Sequence, residues 1–109
     1  MAFNEQLADR VRQQLGHRAG LAEKKMFGGL AFLIHGNMSV GVRGDELLVR
    51  VAPAETAAAL KEPGARLFDI SGRPMKGWLV VGGPAIATEE SLGEWVRRGA
   101  QYAASLPKK

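Results

Sequence analysis

The sequence contains no cysteine. Disulfides, thiolate metal sites and a cysteine nucleophile are thereby excluded, and a reducing compartment is permitted. Histidine is almost as scarce. His17 and His35 are the two present, and neither has a second histidine or a carboxylate at helical or strand spacing. A metal site needs several N, O or S donors converging on one point, so no metal and no cofactor are expected. Ser39, Ser71, Ser91 and Ser105 fall in no G-x-S-x-G elbow, and none has a histidine and an acid near it in the chain. No apolar run approaches the ~20 residues that span a bilayer. The opening MAFNEQLADR lacks the cationic start and apolar run of a secretion signal. These absences lead to the expectation of a cytoplasmic protein that is not an enzyme.

What is present fits one domain, residues 1–109. Apolar residues make up 46% and charged ones 24%, ordinary globular values that argue against disorder. The formal charge is +4. Its cations run from Arg10, Arg12 and Arg18 through Lys24, Lys25, Arg43, Arg50 and Arg66 to Arg97 and Arg98, with acids interleaved. A dedicated nucleic-acid binder more often shows a clustered stripe, so direct nucleic-acid binding stands as the alternative reading.

Phe3, Leu7, Val11 and Leu15 recur every four residues and predict a first helix, with Asn4 as its N-cap. KKMFGGLAFLIH, MSVGVR and ELLVRV read as three strands joined at Gly36-Asn37 and Gly44-Asp45. Glycine first in each pair suits a type II′ turn, with I′ as the alternative. AETAAALK predicts a short helix, RLFDI and MKGWLVVG two strands, and a last helix follows Thr88. Its stripe is Leu92, Trp95, Val96, Gly99, Tyr102, Ala103 and Leu106. The predicted order is α-β-β-β-α-β-β-α. Strands and helices do not alternate strictly, which indicates α+β, an antiparallel sheet packed by helices.

The turn positions also predict register. A Gly44-Asp45 loop pairs Val42 with Leu47 and Val40 with Val49, and sets Arg43 opposite Glu46. A Gly36-Asn37 loop pairs Leu33 with Val40 and Ala31 with Val42. Leu30, Phe32, Ile34 and Leu48 then share the second face with Arg43 and Arg50. That face is too apolar to be merely solvated. Either part of the chain covers it or another molecule does, and these six residues are the candidate interface.

Several motifs have a plainer structural reading. Phe27-Gly28-Gly29 lies within a strand reading and lacks phosphate-loop spacing. Arg43-Gly44-Asp45 fits a hairpin turn, and Asp69 a turn cap. SGRPMKGW, residues 71–78, reads as a turn from Ser71 to Pro74 launching a strand. Met75, Gly77, Leu79 and Val81 face one way on it, and Lys76, Trp78 and Val80 the other. Arg73, Lys76 and Trp78 are the candidate nucleic-acid contacts, through a cation–π pair or base stacking. The plainer role for Trp78 is in a core or subunit interface, with Lys76 snorkelling beside it.

KKMFGGLAFLIHGNM (24–38), LLVRVAP (47–53), EPGAR (62–66), GRPMKGW (72–78) and LGEWVRRGAQYAASLP (92–107) occur in order over nearly the whole chain. Together they resemble the N-terminal domain of TfoX/Sxy-type bacterial competence regulators, here as a stand-alone copy. The resemblance implies an α+β domain similar to secretion-system chaperones, which tend to dimerise through their sheets. It also implies a transcriptional regulator of DNA-uptake genes that works through a partner protein, with no catalytic residues to carry over. Relatives often have cysteine within the stretch that reads Met38-Ser39-Val40 here, so a thiol-based role is absent. The leading expectation is a homodimeric, non-enzymatic protein-interaction domain in transcription regulation. Direct nucleic-acid binding and, behind it, a small-molecule-binding role are the alternatives.

Overall fold

The computed structural model describes residues 3–26, 28–70 and 73–108, the side chains of 69, 70 and 73–76 excepted. Helix α1 (Glu5–Leu15) starts where expected: the Asn4 side chain accepts the Leu7 N–H at 3.1 Å. The same residue ties the helix to the sheet. Its backbone N–H reaches Gly44 O at 2.8 Å, and its amide donates to Asp45 Oδ1 at 2.9 Å. Leu7, Ala8, Val11 and Leu15 form the buried face.

The segment expected as one strand from Lys24 to His35 is two. Strand β1 (Leu21–Met26) pairs antiparallel with β2 (Gly29–Ile34), from Leu21 opposite Ile34 to Met26 opposite Gly29. The turn hides in the sequence because apolar residues flank it on both sides. Gly28 carries the left-handed backbone there, at φ 71°; Phe27 lies outside the described residues. Strands β3 (Asn37–Arg43) and β4 (Glu46–Arg50) follow. A single 3₁₀ turn (Pro53–Glu55) then leads into the short helix α2 (Thr56–Leu60). Strands β5 (Ala65–Ile70) and β6 (Arg73–Val81) precede the long helix α3 (Glu89–Ser105). The fold is α+β, with a six-stranded sheet in the order β1-β2-β3-β4-β6-β5 and every strand pair antiparallel.

The β3–β4 register is the expected one, with Val40 opposite Val49, Val42 opposite Leu47 and Arg43 opposite Glu46. Gly44 has φ 57° while Asp45 stays at negative φ, which matches a II′ turn. The β2–β3 turn differs from expectation. It is His35-Gly36, at φ 49° and 83°, with both central residues left-handed as in type I′.

The larger correction comes three residues further on. Phe32 faces Val40 and Leu33 faces Met38, so the register shifts between Phe32 and Leu33 and Ser39 is the extra residue of a β-bulge. The moved turn alone would leave the faces of β2 unchanged, because it shifts the pairing by two. The bulge shifts it by one, and one step turns every side chain over. Leu30, Phe32 and Ile34 therefore join Val40 and Val42 beneath the helices, while Ala31, Leu33 and Met38 take the second face. Ser39 is completely buried, and its hydroxyl donates to Phe32 O at 2.9 Å.

Helix α3 carries a reciprocal cap. Thr88 Oγ1 accepts the Ser91 N–H at 3.1 Å, and Ser91 Oγ accepts the Thr88 N–H at 3.3 Å. The helix packs on β2, β3, β4 and α1, burying Leu92, Trp95, Val96, Ala100 and Ala103. At roughly 1.5–3 kcal/mol for each large side chain, this face dominates the core. Gly99 allows the closest approach. A Cβ there would lie 2.4 Å from Ser39 O, so the helix backbone rests almost directly on the bulge. Beyond the helix, the fully packed Asn37 amide donates to Pro107 O at 2.9 Å.

Candidate functional site

The bulge leaves the sheet with two unlike faces. The first holds the main core, with α1, α2 and α3 all contributing to it. The second carries a smaller apolar cluster of Ala31, Met38, Leu48, Phe68 and Val80, with Met26, Leu33 and Trp78 packed against it. Of the candidate interface, Leu48, Arg43 and Arg50 lie on this second face, as expected. Leu30, Phe32 and Ile34 do not: they are 6%, 0% and 3% exposed within the main core, and have no surface to offer.

A second irregularity shapes this face. Leu67 pairs with Leu79 and Phe68 with Met75, so β6 carries three more residues than β5 at that point. The excess centres on Gly77, at φ 90°, whose carbonyl accepts the Val51 N–H at 2.9 Å. The expected simple alternation from Met75 to Val81 breaks here. Leu79 and Val81 do point into the main core, and Trp78 and Val80 to the second face. Arg73 and Lys76 lie along β6, but their side chains are outside the described residues, as are Ser71 and the side chain of Asp69. The cation found over Trp78 is Arg50, its directly opposed neighbour on β4, at 5.1 Å from the ring centroid. The same guanidinium lies 5.5 Å from the Tyr102 ring. Each such contact is worth about 0.5–1 kcal/mol at a partly exposed site.

At the other end of β4 the arrangement repeats with different residues. Arg43 lies over the Phe68 ring at 5.7 Å. Arg66 reaches across β6 to grip Glu46 with both terminal nitrogens, at 2.6 and 2.7 Å. Gly82 leaves room for it, since a Cβ there would meet Glu46 Oε2 at 2.9 Å. The hydrogen bonds from Arg66 hold the Glu46 carboxyl below the usual carboxylate range, against the cost of its partial burial. The charges of Arg66 and Arg43 add to the effect. Between these side chains is a recess of about 410 Å³ lined by Arg43, Glu46, Leu48, Arg66, Phe68 and Val80. Arg66, Phe68, Glu46 and Tyr102 were not among the candidate site residues read from the sequence. The alternation in RLFDI does put Arg66 and Phe68 on one face, but their meeting with β4 depends on the strand order.

The charges on the two faces are settled differently. On the helix side Arg10 pairs with Glu89, Arg12 with Asp9 and Glu23, and Arg98 with Glu62 and Glu94. On the second face the described ion pair is Arg66–Glu46. Arg43 and Arg50 meet no carboxylate at ion-pair distance among the described residues. Lys24, opposite Ala31 on β1, adds a further exposed cation to that side.

Among the described residues, no three His, Asp or Glu side chains converge as a metal site would require. No described helix is long and apolar enough to cross a membrane. The architecture is that of an α+β domain with one helix-covered sheet face and one cation-bearing face. The family model of the TfoX N-terminal domain matches residues 13–103, and the chain belongs to that family. Comparison with curated proteins and with solved structures found no match.

Proposed function

We propose that this chain is a non-enzymatic regulatory domain of the competence type, acting on transcription through a partner protein. The observation that carries the reading is the family match over residues 13–103. On the second sheet face, Arg43 and Arg50 meet no carboxylate at ion-pair distance among the described residues, and Arg43 borders a recess with a mixed charged and apolar lining. Direct nucleic-acid binding is the weaker reading for this face. Base stacking needs open rings, and here Phe68 is 2% exposed while Trp78 lies under Arg50. Of the expected dimer contacts, Leu30, Phe32 and Ile34 lie in the main core, and Leu48, Arg43 and Arg50 remain on this face.

The test is genetic. Deleting the gene in its native host is expected to lower transcripts of DNA-uptake genes and the frequency of transformation, with both restored by the wild-type chain. Unchanged transcripts and transformation in the deletion strain overturn the reading.

A further inference from the structure

We draw no further inference here: the strongest candidate, the outer edge of the sheet along β1 with Ala22, Glu23, Lys24 and Lys25 exposed, carries nothing because nothing in the structure shows what covers it.

Discussion

The two faces of the sheet are built from the same residue types and end in opposite states. On the helix side, apolar side chains are sealed under α1, α2 and α3, and Arg10, Arg12 and Arg98 above them are paired with nearby acids. Arg98 shows the pattern well: it bonds Glu62 and Glu94 while lying 4.3 Å from the Trp95 ring. On the second face Arg43 and Arg50 also lie on rings, but no carboxylate completes them among the described residues. The first face carries the main core, and the second carries a smaller apolar cluster bordered by Arg43 and Arg50.

The comparison breaks most decisively at Phe32. Phe32→Asp places a charge among Leu30, Val40 and Val42 with no partner, and is expected to cost more than about 4 kcal/mol and to unfold the chain. Thermal unfolding followed by circular dichroism checks this. A folded variant with altered self-association would return Phe32 to an interface.

Gly99→Ala comes next. The added Cβ at 2.4 Å from Ser39 O must push α3 off the bulge, a loss of about 1–3 kcal/mol measurable by urea titration. Unchanged stability would mean that the helix does not rest on β3 there. Ser39→Ala removes the hydroxyl that satisfies Phe32 O and is expected to cost about 1 kcal/mol. A neutral result would separate the bulge from its hydrogen bond.

The smallest effect concerns acid. Glu23 and Glu46 are held below the usual carboxylate range by hydrogen bonds from Arg12 and Arg66. Their contribution is complete above the unfolded value near ~4.3 and disappears as pH falls through the lower folded values. Glu46 and Glu23 side chains are 36% and 39% exposed, so each pair contributes less than about 1 kcal/mol after solvent screening. Urea midpoints at neutral and acid pH, compared between wild type and Arg66→Ala, isolate the Glu46 part. An equal acid loss in both proteins contradicts it.

Much of this architecture is legible in the residues. Asn4 and Thr88 are caps because short polar side chains precede apolar stripes, and both caps are present. The β3–β4 pairing followed from one glycine turn and a matched alternation. Two local events were not legible. The turn at Gly28 interrupts an apolar run that reads equally well as one strand. The Ser39 bulge has no sequence mark of its own, because serine on an apolar strand reads as a solvent-facing position. One uncounted residue was enough to exchange the faces of β2, turning the expected interface residues Leu30, Phe32 and Ile34 into core. Arg43, Arg50 and Leu48 kept their face because they lie on the β4 side of the bulge or beyond it. The recess needed strand order as well, since Arg66 and Phe68 come from β5 and reach β4 only because β6 lies between the two.

The most direct test of the division between faces is thermal unfolding of Phe32→Asp beside Leu33→Asp, followed by circular dichroism. The account predicts that Phe32→Asp fails to fold, while Leu33→Asp, half-buried on the second face, gives a folded chain. Two folded variants, or two unfolded ones, would contradict it.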